Sequence, residues 1–428
     1  MRRLFYNRFI TALIIISFGT SGCTKFTEID PPKGQLIGAA AFNSDSSALA
    51  AILGIYQTMN TTAVGFGYQS QYMGLSADEL IKFNPTDEMM QIQANQLTAT
   101  NRTIAQLWSG AYDVIGRANS CIENLAISTA LNAEFKSKLD GEARFLRAFS
   151  YFYLVNQYGD LPLVINTDWR KAQTIVRSPI KEVYELIKSD LRTARQNLGN
   201  DKKIRASKLA ATALLARVYL YNEQFDSAYI LSNQVIGDLE MPEQLPELDE
   251  VFLIGSTEAI FQLETSQMMR FVNEAISFIP PPFPGASPGY ALTDLLLDAF
   301  EPGDLRKLAW LKTVDYGGKT YYYPYKYKSV GMPTEYYVLL RLTEQILIRS
   351  EAAVQMSSPN LTSALKGLNI IRTRAGLPDL PENLSKNALL AAILKERRTE
   401  LFVELGHRWL DLKRTSKADA VLKEIKTD

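Results

Sequence analysis

Three glutamates near the end of the chain have a spacing that could support acid–base chemistry. Glu396, Glu400 and Glu404 recur at every fourth residue, so a helix would bring their like charges to one face at an energetic cost. A glycosidase uses two carboxyl groups but needs one of them with a raised pKa. Neighbouring arginines would instead lower both pKa values. We therefore predict a buried or half-buried ion network that clamps two helices together. Its predicted cations are Arg144, Arg147, Arg397 and Arg408.

The remaining side chains offer little else for catalysis. His407 is the only histidine, and the chain has two cysteines, so a transition-metal centre or a Ser-His-Asp triad has almost no material. The phosphate-binding patterns GxxxxGK[ST] and GxGxxG do not occur. We expect no catalytic residue, no cofactor and no transition-metal site. Oxygen ligands for a structural Ca²⁺ are plentiful, because hard cations need only carboxylates and carbonyls.

The N-terminus indicates export and attachment to a membrane. Residues 1–22 combine a basic opening with the apolar run 9–18. That run is shorter than the roughly 20 residues of a membrane-spanning helix and is typical of a signal peptide. Cys23 follows Gly-Thr-Ser-Gly, as in a bacterial lipobox. We predict that Cys23 is lipidated, which leaves Cys121 without a disulfide partner.

Charge and composition exclude one class of partner and favour another. Lys+Arg and Asp+Glu both number 46, which is not the basic footprint of a nucleic-acid-binding protein. We expect no nucleic-acid partner. Aromatic residues are plentiful, with 21 Tyr and 19 Phe against 4 Trp. Tyrosine combines an apolar ring with a polar tip, which suits half-wet binding surfaces.

Helical periodicity dominates the elements that must position these residues. Apolar side chains recur at spacings of three and four in segments such as 48–56 and 145–153. Residues 222–228 resemble the turn between the helices of a tetratricopeptide repeat. Between 237 and 335, prolines and glycines cluster around short strand-like runs such as 259–263. We predict a mainly α fold, in which a tetratricopeptide-like helix-pair scaffold carries an irregular, loop-rich lobe with few short strands.

The same patterns give the predicted boundaries along the chain. The predicted parts are a signal peptide (1–22), a tether (23–43), the first part of the helical scaffold (44–236), a loop-rich insertion (237–335) and the C-terminal part of the scaffold (336–428). Helices in the last part are predicted at 336–355, 361–375 and 389–412.

Four stretches together carry a family resemblance. Residues 141–164, GEARFLRAFSYFYLVNQYGDLPLV, resemble a hallmark of the SusD/RagB family of outer-membrane nutrient-binding lipoproteins from Bacteroidetes. The lipobox, the early helix around 48–56, and residues 396–414, ERRTELFVELGHRWLDLKR, are similar to the family as well. Members usually continue beyond Asp-Leu-Lys-Arg into a strand-and-loop tail, whereas this sequence ends at Asp428. We expect either a shorter member or a truncated sequence.

The resemblance implies a binding protein and not an enzyme. It implies capture of an oligosaccharide at the cell surface and its delivery to a SusC-like TonB-dependent transporter of the outer membrane. In RagB-type members the captured ligand is a peptide, which gives the first alternative. A surface glycoside hydrolase and a helical-repeat scaffold that binds only proteins are alternatives from other classes.

The resemblance also implies that loops above the helices hold the ligand, here residues 61–100 and 278–328. Aromatic rings would stack on the apolar faces of sugars while a few polar groups fix their orientation. For each residue singly, core packing is at least as strong an expectation as ligand contact. The candidate ligand-binding residues are Phe66, Tyr68, Tyr72, Phe83 and Asn84 from the first loop, and Tyr290, Trp310, Tyr316 and Tyr322 from the second.

Overall fold

The computed structural model describes residues 38–60, 66–200, 203–239, 245–265, 271–283 and 285–426. The predicted signal peptide, the predicted lipidation site Cys23 and most of the predicted tether lie outside these ranges. The end of that tether forms a 3₁₀ helix, Gly38–Phe42. Its last two residues, Ala41 and Phe42, belong to the hydrophobic core. The predicted tether boundary at residue 43 is therefore too late, because the apolar Phe42 ring is buried against the body.

Most of the described chain is α-helical, as predicted. The helices are α1 (Asp45–Asn60), α2 (Gln69–Ser76), α3 (Asp87–Ala94), α4 (Arg102–Ile127), α5 (Ala133–Tyr158), α6 (Trp169–Ala172), α7 (Ile180–Asn197), α8 (Lys208–Tyr221), α9 (Phe225–Asp238), α10 (Asn273–Phe278), α11 (Asp294–Leu297), α12 (Arg306–Trp310), α13 (Leu342–Gln355), α14 (Leu361–Arg374), α15 (Lys386–Glu400), α16 (His407–Arg414) and α17 (Ala418–Leu422).

The long helices form where capping residues enclose an apolar face, and α5 shows both features. The Asn132 side chain accepts a hydrogen bond from the backbone N–H of Phe135 at 2.8 Å, which satisfies one free donor of the first turn. The helix stops at Gly159, whose φ of +76° is a conformation that favours glycine. Between these ends Phe145 and Phe149 are fully buried, so the predicted apolar stripe does face the core.

Helices that follow one another along the chain also pack against one another. The helices stack in the order α4, α5, α7, α8, α9, α13 and α14. The stack confirms the predicted scaffold of helix pairs. Within the described ranges, its longest interruption is between α9 and α13, where the chain leaves the stack after Leu239 and returns to it at Leu342. This excursion corresponds to the predicted loop-rich lobe.

The strands are short and pair only in twos within the described ranges. The strands are β1 (Leu80–Lys82), β2 (Leu161–Pro162), β3 (Arg177–Ser178), β4 (Ala259–Leu263), β5 (Tyr290–Leu292), β6 (Leu311–Tyr316), β7 (Lys319–Pro324) and β8 (Tyr337–Arg341). The antiparallel pairs are β1–β5, β2–β3, β4–β8 and β6–β7. The pair β1–β5 joins the early segment to the lobe.

Three predicted element boundaries are wrong. The helix predicted at 336–355 begins with the buried strand β8, because a short apolar run does not distinguish a buried strand from a buried helix. The helix predicted at 389–412 is two helices, α15 and α16, separated by positive φ at Val403, Leu405 and Gly406. The ligand loop predicted at 61–100 contains α2, β1 and α3.

Candidate functional site

The three glutamates at four-residue spacing lie in a buried ion network. Glu400 accepts hydrogen bonds from Arg306 Nη1 at 3.0 Å and from Arg341 Nη1 at 2.8 Å, and it also contacts Arg374. Arg306 Nη1 reaches Glu396 at 2.6 Å, and Arg341 Nε reaches Glu404 at 2.8 Å. These carboxylates are therefore paired with cations, as predicted. The cations, however, come mainly from the lobe and from strand β8 at its end.

The predicted cations of this network are wrong. Arg147 donates two hydrogen bonds to Asp190 on α7, and Arg144 contacts Asp140 and Asp190. Arg408 binds Asp78 with two hydrogen bonds. Arg397 binds Asp411. Each of these arginines has a nearer carboxylate, so the motif segments 141–164 and 396–414 are not clamped together by the pairs that we predicted.

The network does not have the geometry of a glycosidase site. Burial by itself raises the pKa of Glu400, but the charges of Arg374, Arg341 and Arg306 outweigh it and lower the pKa. For Glu396, burial prevails over Arg306 and raises the pKa, contrary to our expectation that arginines would lower both. Glu396 and Glu400 are only 3% and 0% exposed, so neither carboxyl group faces a cleft where a sugar could bind.

Three of the predicted ligand-binding tyrosines do come together. The rings of Tyr68 and Tyr72 lie 5.6 Å apart at the start of α2, and burial with the neighbouring Tyr68 raises the pKa of Tyr72 to about 12. Tyr290 packs on Phe278, with ring centroids 5.5 Å apart, and burial followed by the nearby Tyr72 and Tyr68 raises its pKa. All three phenols are therefore grouped where β1 pairs with β5.

A second aromatic cluster forms around Phe83, which directly follows strand β1 of the first cluster. The Phe83 ring meets Tyr316 at 5.7 Å and Tyr321 at 4.9 Å, both edge to face. Tyr316 and Tyr321 belong to the β6–β7 hairpin, and β7 packs against β5. Lys82, which precedes Phe83, has its Nζ 4.6 Å from the centre of the Tyr290 ring. These consecutive residues connect the two clusters.

We call the two clusters together the aromatic rim. Its members are Tyr68, Tyr72, Phe83, Tyr290, Tyr316 and Tyr321. All except Tyr290 are partly exposed. None of its tyrosine hydroxyls has a hydrogen-bond partner within the described ranges, although such groups usually find one when they are buried. The rim thus combines ring surface with free polar tips, and it is built from segments that are distant in sequence.

The other predicted ligand-binding residues are placed differently. Trp310 is fully buried and donates a hydrogen bond to Leu248 O at 2.9 Å, so its indole cannot stack on a ligand and this assignment is corrected. Tyr322 is 38% exposed but points to the face of β7 opposite Tyr321, because side chains alternate along a strand. Asn84 is exposed, with φ of +48°. The side chain of Phe66 lies outside the described residues.

Tyr321 is the rim residue that the sequence analysis missed. It sits in a run of tyrosines at 321, 322, 323, 325 and 327, and residue type alone does not separate them. The strand register does, because Val314 pairs with Tyr321 and Tyr316 with Lys319 on one face of the hairpin. The glycine pair at 317–318 is the sequence signal that could have fixed the register, since two-residue hairpin turns favour such pairs.

No other grouping in the described part of the chain indicates catalysis. His407 is buried, and its pKa is lowered by burial and by nearby arginines, so it packs as a neutral ring. Among the described residues no cluster of three or more His, Cys, Asp or Glu is arranged to hold a metal ion. Every helix in those ranges is too short or too polar to cross a membrane.

Fold and site define a class: a helix-stack protein that presents aromatic side chains from segments outside the stack. Two family models match the chain, "Starch-binding associating with outer membrane" over residues 44–220 and "SusD family" over residues 311–427. The chain belongs to the SusD/RagB family. Family members associate with the outer membrane, as the first description states.

Similar proteins agree with this assignment along the whole chain. SusD-like protein P38 from Formosa agariphila is 26% identical over 98% of this chain and 94% of its own length. SusD-like protein P2 from the same species is 25% identical over 95% and 90%.

Solved structures share the fold. A SusD-like carbohydrate-binding protein from Bacteroides fragilis has a TM-score of 0.77 at 20% identity and covers 89% of this chain and 88% of its own. A laminarin-binding SusD-like protein has a TM-score of 0.73 at 23% identity and covers 89% and 93%.

Proposed function

We propose that this protein binds an oligosaccharide at the aromatic rim and delivers it to a SusC-like TonB-dependent transporter, without making or breaking a bond. The observation that carries the proposal is the rim itself, where rings from three distant segments, all but Tyr290 partly exposed, converge on one region. The carbohydrate-binding and laminarin-binding structural neighbours support it. So does the starch-binding description of the matching family model.

The chemistry of the rim suits a neutral sugar surface. Aromatic faces stack on the apolar faces of sugar rings, and a few polar groups orient the ligand. The pKa of Tyr72 is about 12, so its hydroxyl stays protonated at neutral pH and can both donate and accept a hydrogen bond. Such a site gains affinity from stacking and hydrogen bonds, and it needs no acid–base pair.

The same proposal places the protein on the outer face of the outer membrane, anchored through lipid on Cys23. Several acyl chains on one residue would hold it stably, because a single chain binds a membrane only marginally. A Cys23→Ser variant should appear in the soluble fraction, whereas the parent protein stays with outer-membrane vesicles. Equal membrane retention of both would refute the anchor.

The test of binding is calorimetric titration of the purified protein against plant, host and microbial oligosaccharides and mixed peptides, with reducing-sugar release assayed in parallel. We expect saturable glycan binding without release. Tyr316→Ala or Tyr321→Ala should weaken it by about 1–3 kcal/mol, the range for burying or losing an aromatic contact. Trp169→Ala is the control, since this side chain is 60% exposed on α6 outside the rim.

The adjacent residues Tyr321 and Tyr322 lie on opposite faces of the hairpin, so comparing their variants shows which face binds the ligand. Loss of affinity in Tyr321→Ala alone would locate the ligand on the Phe83 side of the hairpin, and loss in Tyr322→Ala alone would move it to the opposite face. Binding of peptides only would replace the glycan proposal with peptide capture. Measurable sugar release would overturn the non-catalytic part.

A further inference from the structure

Lysines accompany the aromatic rings in this region of the molecule. Lys82 Nζ lies 4.6 Å from the centre of the Tyr290 ring, and Lys319 Nζ lies 5.2 Å from the Tyr321 ring. At the base of the same hairpin, Lys312 Nζ lies 4.1 Å from the Tyr325 ring. Cation–π contacts of this kind hold an ammonium group near a ring without neutralising its charge.

These three ammonium groups have no carboxylate partner in the part of the chain that the structure describes. Other lysines nearby are paired: Lys326 with Glu404, and Lys328 with Asp249. Asp315 lies on the opposite face of the hairpin, where it accepts a hydrogen bond from Thr320 at 2.6 Å. Lys82 Nζ donates a hydrogen bond to Gly289 O at 2.9 Å, which satisfies one of its protons but leaves its charge unneutralised. The charges of Lys312 and Lys319, and in part that of Lys82, are therefore available to a ligand.

The hairpin arranges two of these lysines along one face. Lys312, Val314 and Tyr316 alternate with residues of the other face of β6, and they pair with Tyr323, Tyr321 and Lys319 of β7. Lys312 is thus at the base and Lys319 at the tip, about 14 Å apart at the rise of an extended strand. Aromatic rings lie between the two cations, so the face fits an extended chain better than a single sugar.

A cleft at the base of the hairpin continues this face. It has a volume of about 360 Å³ and is lined by Lys312, Tyr325, Lys328 and Arg374, together with Glu247 and Asp249. This volume is at the lower end of the range for small-molecule sites. Asp249 is paired with Lys328, and Arg374 faces the buried Glu258 and Glu400. Lys312 therefore opposes only the Glu247 carboxylate there.

We infer, on the basis of the function proposed above, that the ligand is an anionic oligosaccharide whose acid groups pair with Lys82, Lys312 and Lys319 while its rings contact the aromatic rim. Carboxylates of uronic acids and sulfate esters share this chemistry. Stacking supplies contact area for any glycan, and the lysines select those that carry negative charge.

Calorimetric titration with matched pairs of oligosaccharides tests the inference. One pair is an oligogalacturonate and its methyl ester, and the other is a sulfated galactan oligosaccharide and its desulfated form. The acidic member of at least one pair should bind at least tenfold more tightly, and the pair that shows this identifies the acid group. Its affinity should fall with added salt, because salt screens exposed charges, while the neutral member should be insensitive.

Single lysine variants connect the selectivity to these residues. Lys312→Gln and Lys319→Gln should each weaken acidic binding by up to about fivefold, the usual scale of one exposed ion pair, and leave neutral binding unchanged. Lys366→Gln, an exposed lysine on α14, is the control. Circular dichroism confirms that the variants are folded.

The outcomes separate this inference from the proposed function. If acidic and neutral members bind equally and Tyr316→Ala still weakens binding, the charge selectivity is refuted and glycan capture stands. If the lysine variants match Lys366→Gln, the assignment of Lys312 and Lys319 is refuted. If no glycan of either kind binds, the proposed function itself is overturned.

Discussion

Local contacts shift the pKa values of two neighbouring carboxyl groups, Asp78 and Glu79, in opposite directions. Burial alone would raise the pKa of Asp78, but the hydrogen bond and charge of Arg408, with the charge of Arg398, lower it. Burial raises the pKa of Glu79 to about 8, and the charge of Asp78 adds to this. One oxygen of Glu79 accepts a hydrogen bond from Val403 N–H at 3.2 Å, and the other has no partner among the described residues.

Glu79→Gln should flatten the pH dependence of stability. In the unfolded chain this carboxyl group loses its proton near pH 4.3, whereas in the fold it keeps the proton up to about pH 8. The stabilising contribution of the protonated group is therefore complete below the unfolded pKa and is lost as pH rises to about 8. The loss is on the order of 5 kcal/mol. The variant should match the parent below about pH 4 and exceed it increasingly up to pH 8 in chemical denaturation.

Asp78→Asn is the control with the opposite sign. Its lowered pKa contributes stability above the unfolded value of about 3.9, and that contribution is lost as pH falls through the folded pKa. The variant should be weaker than the parent at neutral pH and approach it in acid. Parallel pH profiles for Glu79→Gln and the parent would contradict the assignment of Glu79.

At the scale of elements, the start of α16 depends on a close contact between the backbone of Gly406 and the side chain of Met73. Gly406 precedes α16 with φ of +75°, a conformation that favours glycine. A Cβ atom added there would lie 2.0 Å from Met73 Sδ and 2.4 Å from Met73 Cβ. Met73 belongs to α2 and is buried, so the C-terminal helices and the segment that carries Tyr68 and Tyr72 are packed directly on each other.

Gly406→Ala should lower the free energy of unfolding by about 2–4 kcal/mol, the sum of left-handed strain and overpacking. The control is Gly317→Ala, where φ is +59° but no atom lies within 4 Å of the added Cβ. That change should cost only the strain, about 1–2 kcal/mol. Denaturant titration of both variants measures the difference. Equal losses would show that the contact with Met73 can relax.

The elements also show how far sequence patterns reach. The stripe of Ala48, Ile52 and Ile55 predicts α1 correctly, because apolar side chains at helical spacing must turn to one buried face. The loop predicted at 61–100 hides α2, whose Gln69 and Gln71 are buried although they are polar. No periodicity of apolar residues marks such a helix, so its existence depends on tertiary contacts.

Pairing between distant elements escapes the sequence for the same reason. The spacing of Glu396 and Glu400 shows that cations are needed, but it does not show that Arg306 and Arg341 provide them. The aromatic content of the lobe indicates a binding surface, but it does not show which rings form that surface. Trp310 is predicted to contact the ligand but is buried, whereas Tyr321 is not predicted and lies on the rim. Strand register and burial decide between them, and both are properties of the folded chain.

At the scale of the whole molecule, the rim and the helix stack serve different functions: the rim is the proposed binding surface, and the stack provides most of the stability. The stack holds the main core, and the rim is built from α2, the end of β1, β5 and the β6–β7 hairpin. Tyr316 and Tyr321 are half-buried against Phe83, so truncating them removes ring contacts within the rim and none within the helix stack. Changes at these positions should therefore alter binding strongly and lower the stability of the free protein only modestly.

A thermal shift experiment tests this separation. A ligand that binds only the folded state stabilises it by about 2.7 kcal/mol at a hundredfold excess over Kd, which raises Tm by a few degrees in a protein of this size. The best oligosaccharide of the calorimetric panel should produce this rise in the parent and in Trp169→Ala. Tyr316→Ala should lower the Tm of the free protein by no more than a few degrees, since it loses one edge-to-face ring contact, and should show a smaller ligand-induced rise than the parent. A large fall in the Tm of free Tyr316→Ala would mean that the hairpin supports the stack. Ligand binding and stability could then not be changed independently.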